Sequence, residues 1–503
     1  MYSSKATTGA KEIEVPETKD LLFAKQLLVA PVNFSHALLG PWKTEKINFE
    51  FRLFCHPFLN IHRAEGPSLT LIGLGMFLDP NQPTWDDQSI LLNIVKHASD
   101  FDQLETALAK LGGRWLLIAK AEPHIRIYHD ATGQKPIFYV DKNAEGLFVA
   151  SQPSLLSELG IAERDNSLFA TFDKYNNSGS WPICRVPFLH VHQVLPNHFL
   201  SLNERETRRY WPPEVLATRT LAQATEEMLP ILRGIISAAA ARSDCAMNLT
   251  GGYDSRLALA AAKPIWNATE FFTVTRSDSP FHDISIPKRL AKTYSLKYSL
   301  VAVRDAEKHG GLTNDELNTI LLRNVGGMYY DGSIQATKTN RLLYQCRIHL
   351  PAIVSEVNRC FYYKGGNHPE KISGNELAER AGFKGNRIAE GGFQEWLDSL
   401  PSRPPVNTLD LLYWEHRLGV WSSCGLTFRE AILEQVPPMN CRNFLEIGLS
   451  TAVENRREPY ALVRELIRRA DPSLLSIPFN RHWRDELRAS FKILPRILRR
   501  FRG

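Results

Sequence analysis

One short stretch, residues 245–262, contains the side chains with the clearest chemistry. It reads as an apolar strand, a tight turn over residues 250–255 and a helix rich in Ala and Leu. The paired glycines of the turn let backbone N–H groups approach a ligand, and the first helical turn adds unpaired donors and a positive dipole end. The turn therefore predicts an anion site, in which Asp254 requires a cation such as Mg²⁺ between itself and the anion. The alternative is a plain loop in which Asp254 caps the helix.

The turn resembles the pyrophosphate loop (PP-loop) of ATP pyrophosphatases, whose usual form is Ser-Gly-Gly-x-Asp-Ser. Thr250 keeps the hydroxyl of the first position, and the Gly-Lys-Ser/Thr ending of a Walker A loop is missing. The resemblance implies that ATP binds through its phosphates to the loop residues Leu249, Thr250, Gly251, Gly252, Tyr253, Asp254 and Ser255.

Two residues beyond the loop are implied to complete the nucleotide site. Residues 269–275 are expected to form the next strand, and in the PP-loop family this strand ends beside the adenine and ribose, here at Thr275. The family then opens the following helix with an acidic residue, and Asp283 matches that position. Helix capping explains Asp283 about as well.

Residues 347–363 resemble a degraded copy of the second signature of asparagine synthetases, a strand followed by Gly-Glu-Gly-x-Asp-Glu-Leu-Phe-Gly-Gly-Tyr. The glycines are absent, and Glu356 is the remaining carboxylate. The resemblance implies that Asp254 and Glu356 bridge Mg²⁺ to the departing pyrophosphate. The alternative for Glu356 is an ion pair with Arg359.

Asparagine synthetases also carry a lysine that binds the phosphate or transition state, and residues 456–468 contain no lysine. Arg457 or Arg464 could supply the positive charge, and we predict Arg457 as the third catalytic residue beside Asp254 and Glu356. An arginine cannot act as a proton-transferring base.

The amino-terminal half is predicted to consist mainly of short strands with two helices, near residues 89–98 and 101–111. Several of its segments resemble the class II glutamine amidotransferase (Ntn-hydrolase) domain of asparagine synthetases, namely residues 111–118, 129–139, 148–152 and 191–212. The resemblance implies an αββα sandwich. It does not extend to the chemistry, because the family hydrolyses glutamine with a cysteine at residue 2, where this chain has Tyr2. Cys55 lies inside a predicted strand and is expected in the core, so we predict that glutaminase activity is lost.

Past residue 212 strands alternate with helices, which predicts a parallel α/β sheet with its ligand at the carboxyl ends of the strands. We therefore predict two domains. Residues 1–212 would form the amidotransferase-like domain, and residues 213–503 a PP-loop ATP pyrophosphatase domain with a doubly wound sheet, similar to adenine nucleotide alpha hydrolases.

Composition adds limits on location and partners. No apolar run reaches the ~18 residues that cross a bilayer and no apolar signal core follows Met1, so a cytoplasmic protein is expected. The seven scattered cysteines suggest neither disulfides nor a zinc site. Residues 480–503 hold eight basic and two acidic residues, the whole net charge of +6. This tail predicts either a solvated helix or contact with a membrane surface or acidic partner, and no nucleic acid is expected.

Together the motifs predict an asparagine synthetase-like ligase that uses ATP and Mg²⁺ to adenylate a small-molecule or peptide carboxylate, releases pyrophosphate and transfers the acyl group to an amine or ammonia. Lactam synthetases and the macrolactam cyclases of lasso-peptide pathways share this two-domain plan without the amino-terminal cysteine. One alternative is a nucleotide-binding pseudoenzyme or scaffold. Another is a PP-loop tRNA-modifying enzyme, against which stands the missing Cys-x-x-Cys pair.

Overall fold

A computed structural model describes residues 18–143, 145–172, 181–213, 215–276, 279–303, 314–326, 328, 346–363 and 371–480. Within these ranges no helix is both long enough and apolar enough to cross a membrane. The basic segment after residue 480 lies outside them, so the predicted contacts of this tail stay predictions.

The amino-terminal half contains two antiparallel sheets. Its strands are β1 (Leu27–Pro31), β2 (Lys43–Lys46), β3 (Phe51–Cys55), β4 (Ile61–Glu65), β5 (Thr70–Leu78), β6 (Gly112–Ala121), β7 (His124–His129), β8 (Ile137–Asp141), β9 (Leu147–Ala150), β10 (His192–Val194), β11 (His198–Ser201) and β12 (Glu206–Arg209). Among the described residues one sheet has the order β10-β8-β9-β1-β3-β2 and the other β12-β11-β7-β6-β5-β4.

Helices cover the outer faces of both sheets. They are α1 (Asp87–His97) and α2 (Phe101–Leu108) on one sheet and α3 (Pro153–Glu158) on the other. A further helix, α4 (Asn166–Phe172), packs on Trp181 through Phe169 and Phe172. Side chains alternate between the faces of a strand, so Leu116 of β6 packs in the core between the sheets while Leu117 packs against α1 and α2. In the same way Val29 of β1 faces the other sheet, and Leu28 faces α3. These layers confirm the predicted αββα sandwich.

The carboxy-terminal half begins with a long helix and contains a parallel sheet. Its helices are α5 (Leu221–Arg242), α6 (Tyr253–Ala261), α7 (Phe281–Thr293), α8 (Asn314–Val325), α9 (Gly374–Arg380), α10 (Arg387–Asp398), α11 (Thr408–Leu412), α12 (Ser423–Glu430), α13 (Arg442–Leu449), α14 (Val453–Arg456) and α15 (Ala461–Ala470), with a π-helix at Tyr413–Ser422 between α11 and α12. Its strands are β13 (Cys245–Asn248), β14 (Thr269–Thr275), β15 (Tyr298–Ala302), β16 (Ile348–Leu350) and β17 (Glu434–Gln435).

The order of this sheet is β15-β14-β13-β16-β17, and the pairs are parallel. The chain starts at the central strand β13, builds outward through β14 and β15, and then crosses to the other side of β13. In such doubly wound sheets ligands bind where the winding reverses, outside the carboxyl ends of the two central strands. That point lies between β13 and β16, so the sheet confirms the predicted fold and places the loop after β13 at the reversal.

Buried charges join the two halves. Arg114 of β6 donates from Nε to the carbonyl of Gln134 (2.8 Å) and from Nη2 to Thr427 Oγ1 of α12 (2.9 Å). Its Nη1 forms an ion pair with Glu430, whose carboxylate also lies 3.4 Å from Lys135 Nζ. Burial lowers the pKa of Lys135 to about 7, with the nearby Arg114 adding to the effect. Arg114, Lys135 and Glu430 are at most 2% exposed, so the interface holds charges that depend on one another.

We expect Arg114→Met to lower stability by about 3 kcal/mol, because it leaves Glu430 buried without its closest partner. Arg185→Met, which breaks the more exposed pair with Glu395, should cost less than about 1 kcal/mol. Melting temperatures by calorimetry test the contrast. Equal losses in the two variants would mean that Arg114 does not hold the halves together.

Candidate active site

The loop between β13 and α6 is shaped by its own hydroxyl groups. Thr250 Oγ1 and Ser255 Oγ lie 2.7 Å apart, Thr250 N donates to Ser255 Oγ (3.2 Å), and Gly252 N donates to Thr250 Oγ1 (3.2 Å). Gly252 is the N-cap of α6 and offers no side chain to the first helical turn. A Cβ at Gly251 would lie 3.1 Å from both Asn480 Cβ and Ile286 Cδ1, so close packing selects glycine there.

Two neighbouring segments hold the loop in place. Leu249 of the loop donates from its N–H to the carbonyl of Phe272 (2.7 Å), and its own carbonyl accepts from Thr273 Oγ1 (2.6 Å). On the other side the ring of Tyr253 stacks on Phe479 at 4.0 Å, and Asn480 N donates to the carbonyl of Gly251 (3.0 Å). The loop is therefore fixed both to β14 and to the last described segment of the chain.

Arg256, which follows the loop, has a structural role that the sequence did not reveal. Its fully buried guanidinium donates to the carbonyls of Leu474 (3.3 Å), Ile477 and Pro478 (2.9 Å). Burial lowers its pKa to about 10. Arg256 thus fastens α6 to the segment that backs the loop and faces away from the predicted ligand.

Asp254 and Glu356 are brought together, although they are far apart in the sequence. Arg359 Nη2 donates to Asp254 Oδ2 at 2.6 Å and lies 3.6 Å from Glu356 Oε1. Ser355 Oγ donates to the other oxygen of Asp254. The two carboxylates therefore flank one guanidinium nitrogen at the carboxyl ends of β13 and β16. The predicted alternative, a pair between Glu356 and Arg359, is also present, but the shorter contact of Arg359 is with Asp254.

Glu356 is in an unfavourable environment for a charge. Its Oε2 is buried and has no hydrogen-bond partner among the described residues. Burial and the neighbouring Asp254 raise the pKa of Glu356 to about 7, with Arg359 opposing the rise. A buried carboxylate oxygen without a partner indicates a place where a cation or a donor from a ligand can bind.

The backbone around Glu356 adopts uncommon conformations. Val354 has φ +87°, residues Ser355–Arg359 form a 3-10 helix, and Cys360 has φ +51°. A β-branched residue rarely adopts positive φ, so the surrounding contacts must hold Val354 there. One of these contacts is the bond from Ala352 N to Asn248 Oδ1 at the end of β13 (3.1 Å). The second segment thus keeps a glycine-like turn without the glycines of the signature it resembles.

Arg457 lies near this segment, but among the described residues its side chain has no hydrogen bond or ion pair with Asp254 or Glu356. Burial raises the pKa of Cys360, and the positive charges of Arg456 and, more weakly, Arg457 oppose this rise. Arg457 is therefore close enough to Cys360, which follows Arg359, to act on it electrostatically. The backbone carbonyl of Arg457 accepts a hydrogen bond from the backbone N–H of Tyr460 (2.7 Å). Its predicted catalytic role stays a prediction.

Thr275 and Asp283 lie on the β14 side of the loop. Thr275 is the last residue of β14, and Asp283 is in the first turn of α7 with its Oδ1 3.5 Å from His282 Nε2. One turn further along α7, Ile286 packs beside Gly251. This helix therefore borders the loop, and contact of either residue with a nucleotide stays a prediction.

Three residues around the carboxylates were not predicted as part of the site, namely Ser355, Arg359 and Tyr460. Tyr460 has φ +61°, its ring centroid is 5.0 Å from that of Tyr253, and the Arg359 guanidinium carbon is 5.3 Å from the Tyr460 ring centroid. The available signal was a basic residue three positions after Glu356. Only the fold shows that it also reaches Asp254.

The described residues contain no group of three or more His, Cys, Asp or Glu side chains that could hold a metal ion. Two carboxylates are nevertheless enough protein ligands for Mg²⁺, which is usually bound by one or two carboxylates together with phosphate oxygens and water. The unpartnered Glu356 Oε2 fits this use, whereas both oxygens of Asp254 accept bonds from protein groups. The pair therefore fits the ion provided that Arg359 leaves Asp254.

No family model matches the chain, and no curated protein does. Solved structures with some similarity include the glutamine phosphoribosylpyrophosphate amidotransferase of B. subtilis complexed with ADP and GMP (12% identity, 56% of this chain and 61% of that chain, TM-score 0.25). Another is the NH3-dependent NAD synthetase of Campylobacter jejuni, with 15% identity over 29% of this chain and 62% of that chain and a TM-score of 0.20. A third is the NMN synthetase of Francisella tularensis, with 13% identity over 40% of this chain and 94% of that chain and a TM-score of 0.21. The chain spans about three fifths of the length of the first two. Similarities this low carry no information on activity.

The raised pKa of Glu356 predicts a pH-dependent stability. Between about pH 4.3, the value of an unfolded Glu, and about pH 7, the folded protein binds more protons than the unfolded chain, so stability falls as pH rises through this window. Glu356→Gln removes the titration. The melting temperature of the variant, relative to that of the wild type, should therefore rise between about pH 5 and pH 8. The corresponding relative gain in the free energy of unfolding should be about 1–3 kcal/mol. Glu379→Gln, which removes an exposed partner of Lys384, is the control. A constant difference would contradict the burial of Glu356.

Proposed function

We propose that this chain is an ATP-dependent amide-forming ligase of the asparagine synthetase-like type, with residues 1–212 as an amidotransferase-like domain and residues 213–503 as the synthetase domain. The observation that supports this most strongly is the meeting of Asp254 and Glu356 around Arg359, where the winding of the parallel sheet reverses. Both carboxylates come from the two segments that resemble asparagine synthetase signatures.

In the proposed reaction the loop from Leu249 to Ser255 binds the ATP phosphates at the amino-terminal end of α6. Backbone N–H groups and the helix dipole stabilise the negative charge that develops on the departing pyrophosphate. Mg²⁺, held by Asp254 and Glu356, would supply further charge neutralisation on the phosphate oxygens. A substrate carboxylate attacks the α-phosphate to give an acyl-adenylate, and an amine then displaces AMP to form the amide.

The amine would not come from glutamine. The first strand of the sandwich begins at Leu27 and is preceded by described residues 18–26, none of which is a cysteine. The first cysteine of the sequence, Cys55, is fully buried, as predicted, and burial strongly raises its pKa, so its thiolate is disfavoured. We propose free ammonia or an amino group of the acceptor as the nucleophile.

A second candidate is a nucleotide-binding pseudoenzyme. The contacts of Ser355 and Arg359 with the two oxygens of Asp254 favour it, because the Arg359 guanidinium already balances the charge of that carboxylate where a metal ion would have to bind. Formation of AMP separates the two functions, since only the ligase splits ATP.

We expect Asp254→Asn to lower ATP–pyrophosphate exchange by roughly 100-fold or more, because it removes a charge that the adenylation step requires. The assay presents the full chain with ATP, Mg²⁺, labelled pyrophosphate and a panel of amino-acid and peptide carboxylates. Asp398→Asn, on the exposed face of α10, serves as the matched control. ATP–pyrophosphate exchange at the wild-type rate in Asp254→Asn would contradict the ligase proposal. Wild-type protein that binds ATP without forming AMP would favour the pseudoenzyme.

Glutamine should not serve as the nitrogen donor. With the active carboxylate present, ammonium or an amine should support AMP formation, whereas glutamine alone should release no glutamate above the background without protein. Measured glutamate release that disappears in Cys55→Ala would show that Cys55 is a nucleophile and would overturn the predicted loss of glutaminase activity.

A further inference from the structure

We propose that Arg359 is the resident cation of the nucleotide site. It balances Asp254 and Glu356 in the free protein, and it donates to the pyrophosphate oxygens when a nucleotide binds, so that nucleotide binding does not require Mg²⁺. The inference rests on the proposed function, since it concerns the same loop, and it adds a phosphate-binding residue that the family resemblance does not supply.

The geometry puts one guanidinium nitrogen in the position that a bridging cation would take. Arg359 Nη2 is 2.6 Å from Asp254 Oδ2 and 3.6 Å from Glu356 Oε1. Asp254 is in the first turn of α6, two residues after Gly252 of the loop. The charge of Arg359 therefore lies beside the place where the loop would bind phosphate.

The contact with the carboxylates does not use all the N–H donors of Arg359. Its Nε is buried and has no hydrogen-bond partner among the described residues, so the contact with the carboxylates uses only part of the planar fork. A guanidinium binds phosphate oxygens through two parallel N–H groups, a geometry that an ammonium cannot reproduce. The Tyr460 ring, 5.3 Å from the guanidinium carbon, flanks this side chain.

The charges around the loop show why a resident cation is needed. Asp254 and Glu356 would repel a polyphosphate if nothing balanced them. Among the described residues, Arg359 forms an ion pair with both carboxylates.

A divalent ion and Arg359 would exclude each other between the carboxylates, because their charges repel at this distance. The free wild-type protein should therefore bind Mn²⁺ weakly, even though it has two converging carboxylates. Removal of the guanidinium should expose a vacant two-carboxylate site.

The test compares the full-length wild type with Arg359→Met, using Mn²⁺ alone as a paramagnetic probe and ATP in EDTA as a metal-free ligand. Arg359→Met should bind Mn²⁺ at least about tenfold more tightly than the wild type and metal-free ATP at least about tenfold more weakly. Arg323→Met, which breaks an exposed pair with Glu158, should match the wild type in both titrations. Equal Mn²⁺ binding, or equal metal-free ATP binding, by wild type and Arg359→Met would overturn the inference.

Arg359→Lys keeps the positive charge but loses the planar pair of N–H donors. It provides a second test in case Arg359→Met does not fold. It should still exclude Mn²⁺ and yet bind metal-free ATP more weakly than the wild type; Mn²⁺ binding like that of a vacant site would overturn the role of the charge. Failure of the wild type to bind ATP both with and without Mg²⁺ would refute the proposed function and the phosphate contact together. The Mn²⁺ comparison then still decides whether Arg359 is the resident cation.

Discussion

The contact of one Arg359 nitrogen with two carboxylates is the interaction on which the site depends. It joins the helix that follows β13 to the turn that follows β16, so the two sides of the winding reversal are held together by charge. Without it Glu356, whose Oε2 has no hydrogen-bond partner among the described residues, would also lose its ion pair with Arg359.

Support for this arrangement comes from two directions. Tyr253, Phe479 and Asn480 hold the loop from the side of the last described segment, and Arg256 binds that segment to α6. Further away, the pair of Arg114 with Glu430 fixes the sandwich to α12, the helix that leads into β17 next to β16. The amino-terminal half can therefore act as a scaffold for the sheet whether or not it has chemistry of its own.

The sequence predicted the elements better than the contacts between side chains. The strand predicted at residues 269–275 is observed with the same bounds, and the helices predicted near residues 89–98 and 101–111 are observed at Asp87–His97 and Phe101–Leu108. The short degenerate segment around Glu356 was placed only through resemblance. Local spacing suggested that Arg359 pairs with Glu356, but its bond to Asp254 depends on the order of strands in the sheet, which no local pattern contains. The structural use of Arg256 was likewise not visible, because its partners are backbone carbonyls more than 200 positions away.

Hydrogen exchange with mass spectrometry, on the full chain with and without ATP, tests the nucleotide site most directly because it needs no knowledge of the carboxylate or the amine. If residues 249–255 bind the phosphates beside Arg359, ATP should slow amide exchange in peptides covering residues 249–256 and 352–360, and the protection should persist in EDTA. Protection confined to other peptides, or none at saturating ATP, would contradict the assignment of this loop.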